Sequence, residues 1–528
     1  MASKRIWPVA AVTVLLTAAA CSSGHSGSGA KPDLSTPAGK ALTITPEQML
    51  AATEGDTPVA YAKPEHGTIS YGPNGAMIYT PDAGFTGTDQ LHLTSTPSVK
   101  LYAENLPPLA TIGGVAVQAN AHGSAIAPVP GSSNEIYGLT DRGPNVPGRT
   151  PNEIVFPIPD FHPQIAKLKL ADGVASVEKI ITLSGKDGAP LVGLPYPQAT
   201  AAGESVVDLN GAPLPPSDHG LDGEGLVALS DGTFWVSDEY GPFIVHFDAN
   251  GKELERLSPI DGTLPKELSL RSPNQGLEGL TLTPDGTTLV GIMQSGLQTP
   301  GLVGPAASVP MTRIVTVRLS NHSDVHEYLY PLANPQQTKV AVSEITAVSN
   351  TTFLVDELDG EPQPNGNKKI YLADISGATD VGPRETVPGA AYQADRGGLL
   401  INNVPIETFV GIGGVEAATD KLAAAGISVA GKKLKLDLTD LLRSLSAAGN
   451  FFGHAKIEGI ITPDGGKTLM IANDSDFGLD GVISTNPPFA LKPKIQPNGA
   501  QDSGEILTVD MRKLPPTMEA ETVPIKVG

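Results

Sequence analysis

Four segments of this chain repeat one pattern: a glutamate, a short apolar run, a tight turn, a second apolar run, then an acidic or amide cluster. They run from Glu224-Gly-Leu to Asp238-Glu239, from Glu278-Gly-Leu to Gln294, from Glu344-Ile-Thr to Asp356-Glu357, and from Glu458-Gly-Ile to Asn473-Asp474. Apolar runs flanking a turn such as Asp231-Gly232 or Pro284-Asp285-Gly286 are the signature of a β-hairpin. A two-residue loop at Asp231-Gly232 sets Glu224 opposite Glu239, with Asp238 beside it. The same counting brings Glu278 within about two positions of Gln294 and Glu344 about one position from facing Asp356. It leaves Glu458 about two positions from Asn473 and about three from Asp474. The acids therefore gather at one end of each hairpin. Like charges facing each other across a sheet destabilise it, so the repetition points to a bound cation, shared protons or solvated carboxylates.

Short antiparallel units recurring from about residue 98 onward indicate a β-propeller, because one blade alone cannot bury its faces and a closed ring can. A content of 59 Gly, 48 Pro and only 5% aromatic residues suits such a turn-rich β protein. Runs such as Ile244 to Asp248, Thr312 to Val317 and Lys369 to Asp374 read as outer strands of four-stranded units. A divergent first copy has Gly113-Gly114 in place of Glu-Gly and ends at Asp141-Arg142-Gly143. The irregular spacing leads us to expect six or seven blades over residues 98–528. An insertion near 376–450, with helical stretches at Val415 to Ala425 and Leu438 to Ala448, is expected to cover one face of the ring.

Residues 43–97 read as a separate small unit. His66 to Ser70 and Ala76 to Thr80 are strands around an Asn74-Gly75 turn, followed by Pro81-Asp-Ala-Gly-Phe85-Thr-Gly-Thr-Asp89 and the alternating Leu91-His-Leu93. This run resembles the Ig-like or cadherin-like modules of bacterial surface proteins, which implies a small β-sandwich acting as spacer or adhesive element. The expected fold is thus all-β: an Ig-like sandwich preceding a propeller.

At the N-terminus, Lys4 and Arg5 precede an apolar stretch from Val9 to Ala20, too short for a comfortable membrane span and suited to a signal peptide over residues 1–20. The small residues before Cys21 resemble a bacterial lipobox, although Ala18 stands where such boxes usually carry Leu. The resemblance implies lipidation of Cys21, a flexible tether over 21–42 and anchoring on the extracytoplasmic side of the membrane; a cleaved, non-lipidated signal is the alternative. Cys21 is the single cysteine, so an internal disulfide and a multi-thiolate metal site are both excluded.

With 56 acidic against 35 basic residues the formal charge is −21, which disfavours nucleic acid as a partner and favours solubility, cations or cationic surfaces. No Gly-x-Ser-x-Gly elbow and no HExxH motif occurs. Gly466-Lys467-Thr468 lacks the earlier glycine of a P-loop and reads as a turn, and His219 and His454 read as hydrogen-bonding rim residues. In a propeller the innermost strands line the central channel, so acids at one end of several such strands share one mouth. Oxygen-only donors there suit calcium better than zinc; the alternative is carboxylates that satisfy backbone donors and hydrate the channel. Arg142, Arg271 and Lys456 lie near the same ends, where they could hold an oxyanion or simply pair with the acids.

Several motifs occurring in one order, Asp141-Arg-Gly, Asp222-Gly-Glu-Gly-Leu226, Ser237-Asp-Glu-Tyr-Gly-Pro242, Asn274-Gln-Gly-Leu-Glu-Gly-Leu280, Ile292-Met-Gln-Ser295 and Lys456-Ile-Glu-Gly-Ile460 with Asn473-Asp474, resemble the bacterial family named for an esterase-like activity of phytase. The resemblance covers residues 105–512 and implies ester or phosphoester hydrolysis of a small substrate. The leading expectation is calcium-dependent phosphomonoester hydrolysis at the channel mouth. Ca2+ would be held by a subset of Glu224, Asp238, Glu239, Glu278, Glu344, Asp356, Glu458 and Asp474, with Asp141, Arg142, Asp238 and Arg271 as catalytic residues. A metal-dependent esterase or lactonase, and a non-catalytic surface propeller carried on the Ig-like unit, are the alternatives. Gly113-Gly114 and Gln294 break the acidic pattern, so the site is expected on one side of the channel, near Asp141, Glu224, Asp238 and Glu278.

Overall fold

The computed structural model describes residues 31–150, 152–197, 204–384, 387–484 and 486–528, so the expected signal peptide and Cys21 lie outside the described residues. Among those described, five four-stranded antiparallel units form a propeller. The first blade comprises Ala125–Pro128, Glu135–Leu139, Gln164–Ala171 and Val174–Thr182. The second comprises Gly223–Ala228, Phe234–Asp238, Phe243–Phe247 and Glu253–Leu257, and the third Leu277–Leu282, Thr288–Met293, Met311–Arg318 and Asn321–Pro331. The fourth is Ala341–Ala347, Thr352–Leu358, Lys368–Asp374 and Gly431–Asp437. The fifth takes Gly459–Ile461, Thr468–Ala472 and Glu505–Asp510 from the C-terminal part and its outermost strand, Val99–Glu104, from the N-terminal part. Two distant stretches of chain thereby close the ring.

The five innermost strands neighbour one another in a cycle, the fifth returning to the first. This corrects the expected six or seven blades: the remaining motif-like segments form insertions, not blades. Gly113-Gly114, assigned from sequence to a first blade, instead make the turn between Ala110–Ile112 and Val115–Val117, a two-stranded ribbon outside the ring.

Alternation along the blade strands builds the core. In the second blade Leu226, Phe234 and Val236 pack toward the first blade, with Leu139 and Ile165, whereas Val227 and Trp235 pack toward the third, with Leu277, Leu280 and Val315. Successive strand residues point to opposite faces, so a blade buried on both sides is apolar at both parities. Corresponding clusters fill the other interfaces, including Ile126, Ile136, Leu168, Ile461 and Ile506 between the first and fifth blades. Each fully buried Leu, Ile or Val contributes about 1.5–3 kcal/mol relative to exposure, so these interfaces dominate the stability of the ring.

Glycines let the inner strands crowd at one end. A Cβ on Gly225 would stand 2.4 Å from the Leu280 backbone nitrogen, and one on Gly279 would stand 2.3 Å from the Ile345 backbone nitrogen. Real Cβ atoms do not approach backbone so closely, which explains why Gly follows Glu224 and Glu278.

The Ig-like unit contains Leu34–Thr36, Leu42–Ile44, a capped helix Pro46–Ala52, and Thr57–Ala62, Gly67–Tyr71, Met77–Pro81 and Gly87–Thr96. Asn74 and Gly75 both adopt positive φ in the expected turn. One strand comes from the far end of the chain. Glu519–Val527 lies between Leu34–Thr36 and Gly87–Thr96, pairing antiparallel with the latter over its full length. The sequence reading placed residues 519–527 with the propeller and 34–36 in a tether; both belong to this sandwich because Leu34, Val523, Ile525 and Val527 fill its core with Leu91 and Leu93.

The insertion after Lys368–Asp374 carries helices Ile406–Val410 and Val415–Ala424, the second close to the expected position. It packs along the outer side of the third blade, through Met311, Leu329, Leu399, Ile406 and Leu422. Fully buried Arg313 fastens it, donating from Nε to Glu407 at 2.9 Å and from Nη1 to Glu327 at 2.6 Å. Helix Leu438–Leu445 is separate from this packing and joins the core between the fourth and fifth blades. Among the described residues no helix is long and apolar enough to cross a membrane.

Candidate functional site

The glutamate lies near the start of the innermost strand at Glu224 and Glu278, just before it at Glu458 and mid-strand at Glu344, and the second acid or amide lies near or just past the end of the next strand, which runs back. Both therefore sit at the same mouth of the ring. The pairing differs from the counted one: Gly223 faces Asp238 and Gly225 faces Ser237, so Glu224 is the extra residue of a β-bulge. Similar register shifts fall between Leu277 and Leu280 and between Val342 and Glu344. A bulge re-aims a side chain out of the regular alternation, and here it does so at Glu224 and Glu278, whereas in the fourth blade the unpaired residue is Ser343, directly before Glu344. Glu344 pairs directly with Asp356, one position closer than counted. In the fifth blade Gly459 faces Ala472, which sets Glu458 level with Asn473.

The first blade has no glutamate at this level. Ala125 pairs with Leu139 as Gly225 does with Ser237, so Ser124 takes the glutamate's place. Its hydroxyl bonds with Glu224 Oε2 at 3.0 Å and the Gly223 carbonyl at 2.7 Å.

Carboxylate oxygens of Asp222, Glu224 and Glu239 all lie within 4.8 Å of one another, and the three residues are buried. Asp222 sits two positions before Glu224; the counted hairpins passed over it because it precedes the strand. Its Oδ1 accepts a hydrogen bond from the Arg142 backbone at 3.1 Å, whereas its Oδ2 accepts none and lies 3.6 Å from Arg142 Nη1. Gln294 extends the cluster, its amide donating to Glu278 Oε1 and to Glu239 Oε1 at 3.4 Å. The amide that breaks the acidic pattern is thus a bridge between two acids.

The other expected site residues are placed differently. Both Asp238 oxygens are engaged by backbone, accepting from Asp222 N at 2.8 Å and Gly241 N at 2.7 Å, so this carboxylate shapes the loop that carries Asp222. Asp141 Oδ1 accepts from Gly143 N at 2.8 Å. Glu344 Oε1 accepts from the Ile345 backbone at 2.8 Å, and neither oxygen of buried Asp356 has a hydrogen-bond donor. Arg142 also donates from Nη2 to Asn145 at 3.3 Å, and Arg271 directs its guanidinium at the carbonyls of Tyr240 and Ser272. Asp474 meets Lys456, whose Nζ lies 3.0 Å from Asp474, 2.8 Å from Asp476 and 3.7 Å from Glu458. His219 is a rim residue, bonded to Asp187 at 3.0 Å. His454 is not: it is buried between Asp502 at 2.7 Å and Glu505 at 2.9 Å.

The family described as "Phytase-like: esterase-like activity of phytase" matches residues 121–477, a span that contains all five innermost strands and every acid of the mouth. The chain belongs to this family. A bacterial Ig domain matches residues 28–97. A protein of Arthroderma benhamiae, named an uncharacterized secreted protein, is 30% identical over 212 residues, covering 32% of this chain and 40% of that protein. The chain thus spans less than half of that relative's length. Solved structures of similar outline include a luciferin-regenerating enzyme, with 10% identity, 80% and 87% of the two chains covered and a TM-score of 0.28. Another is virginiamycin B lyase from Staphylococcus aureus, with 14% identity, 78% and 99% covered and a TM-score of 0.27. Similarity at this level has no bearing on the chemistry of the site.

In this phytase-like propeller the mouth is electrostatically crowded. Burial, then Asp222, raises the Glu239 carboxyl to about 7. Burial raises Glu458 to about 8 against the opposing pull of Lys456. Glu224 and Glu278 are pushed well up by burial and by their acidic neighbours, and burial raises Asp238 to about 6. Clustered carboxylates beside a single guanidinium repel one another, and a bound proton or a further cation relieves that repulsion. The donor set is oxygen only and one buried carboxylate oxygen lacks a hydrogen bond, so these residues fit a hard divalent cation such as calcium. The described molecule also has a mainly apolar cavity of about 90 Å³ between the Ig-like unit and the propeller, lined by Tyr61, Tyr71, Leu101 and Phe451. It lacks the convergent acids that distinguish the mouth.

Proposed function

We propose that the protein is an exported, calcium-dependent phosphomonoester hydrolase acting at the acidic mouth of its propeller. The observation that carries this reading is the Asp222, Glu224 and Glu239 cluster with its hydrogen-bond-free Asp222 Oδ2. These three residues would hold the ion, with Glu278 and Gln294 beside them. A calcium ion there supplies positive charge for phosphoryl oxygens and lowers the pKa of a bound water. Around it, Ser124 and Asp238 fix the Glu224 carboxylate and the Asp222 loop through the hydrogen bonds given above. Arg142 offsets charge at Asp222. Glu458 holds its proton near neutral pH and is the group suited to pass it to the departing oxygen.

Family membership supports hydrolysis, and the net charge of −21 supports a requirement for metal before any phosphate approaches. Export is supported by the signal-like N-terminus and by the secreted relative. Attachment through Cys21 would hold the enzyme at the outer face of the membrane. The test compares release of phosphate from phytate and p-nitrophenyl phosphate with hydrolysis of p-nitrophenyl acetate and lactones, each with calcium and with EGTA. Calcium-dependent phosphate release supports the reading. Turnover of the acetate or lactones alone would make the protein an esterase, and no turnover of any substrate would leave a binding propeller.

A further inference from the structure

An anion entering a ring of carboxylates needs a cation whose surface is open to it. Three basic side chains adjoin this mouth, and their geometry separates them. Arg142 is 9% exposed along its side chain, and its guanidinium faces Asp222, Glu204 and Asn145. Arg271 is equally buried, and its guanidinium donates to the carbonyls of Tyr240 and Ser272. Lys456 keeps 38% of its side-chain surface open although Asp474 beside it is buried. An ammonium has three donors; Asp474 and Asp476 engage two, and the remaining acid, Glu458 at 3.7 Å, lies beyond hydrogen-bond distance, so the third donor can turn to an incoming ligand.

The platform beneath Lys456 is fixed. Asp476 is shared with Lys494 at 2.6 Å, Lys494 meets Asp502 at 3.2 Å, and Asp502 holds His454. Alternating charges therefore anchor the root of the lysine's partners without occupying its open side. Asp141 interacts electrostatically with both Asp222 and Lys456, and Asp222 presents a buried oxygen that lacks a hydrogen bond. An ion at that oxygen and the Lys456 ammonium would bracket one small anion.

We propose that Lys456 contacts the anionic phosphoryl oxygens of the substrate; this rests on the location of the site proposed above. The test is calorimetric titration of the full-length protein with inorganic phosphate, in calcium and in EGTA, alongside steady-state kinetics. Lys456→Met is expected to weaken phosphate binding in calcium about tenfold or more, the scale of a lost charge-assisted hydrogen bond, while Lys456→Arg stays within about threefold of the native protein. Its KM for p-nitrophenyl phosphate should rise more than its kcat falls, and calcium affinity should hold. If Lys456→Met does not fold, the double variant Lys456→Met/Asp476→Asn, which keeps the local charge balanced, takes its place. Equal phosphate affinity in native and Lys456→Met protein, or no phosphate binding by the native protein, overturns the proposal. Lysine-dependent phosphate binding without turnover would sustain it while refuting hydrolysis.

Discussion

Glu239 and Glu458 set the behaviour of the mouth with pH. Burial lifts them to about 7 and about 8 from an ordinary value of 4.5, so the folded protein binds their protons more tightly than the unfolded chain does. Stability from such groups is complete below the unfolded value and is lost as pH rises through the folded one. His454, raised to about 9 by Asp502 and Glu505 despite its burial, acts in the same direction over a higher window. Acids held low by partners, such as Glu153 at about 2 beside Arg149, act only under more acidic conditions. In EGTA the melting temperature is therefore expected to fall between about pH 5 and pH 8, and calcium, which favours the ionised carboxylates, should restore most of the loss. Calorimetry across that range checks this; a metal-free melting temperature that climbs from pH 5 to 8 would contradict it. Asp222 was legible as part of a motif but not as a ligand, because only the fold shows that its carboxylate, two residues before the strand glutamate, turns into the cluster.

At the scale of elements, the hairpins and their shared acidic end were legible from the sequence, and the exact partners were not. The Asp231-Gly232 turn closes at Leu229 and Thr233, with Gly232 at φ +88°, so its loop holds three residues where counting assumed two. That shifts the register by one, and the bulge at Glu224 shifts it again. Neither a three-residue loop nor a bulge is written in an apolar/polar pattern. The C-terminal strand was illegible for another reason: Thr522-Val523-Pro524-Ile525-Lys526-Val527 alternates like any strand, and local pattern cannot name a partner some 430 residues away. Its burial makes a clear prediction. Ile525 is fully buried in the sandwich core, so Ile525→Ala should cost about 2–5 kcal/mol and lower a separate unfolding transition of the Ig-like unit. Limited proteolysis should then cut first within residues 31–97. Unchanged melting and unchanged cleavage would mean that this strand is not needed there.

At the scale of the whole molecule, two strands cross between units that are distant in sequence. Val99–Glu104 closes the ring and Glu519–Val527 completes the sandwich, so the Ig-like unit is stitched to the propeller at two points and is not a bead on a string. The propeller class was legible because repeated hairpins leave few other ways to bury both faces. The blade number was not, since irregular insertions imitate additional repeats. Five blades bring the inner strands close enough that Gly225 and Gly279 meet neighbouring backbone, and this crowding carries Glu224, Glu239 and Glu278 into one cluster. The central claim is that this cluster holds calcium. Its most direct measurement is calorimetric titration of calcium into metal-free native protein, Asp222→Asn and Glu224→Gln at pH 8. The account predicts saturable binding by the native protein, weakened about tenfold or more in each variant while the fold is retained. Absence of binding by the native protein, or equal binding by all three, would contradict it.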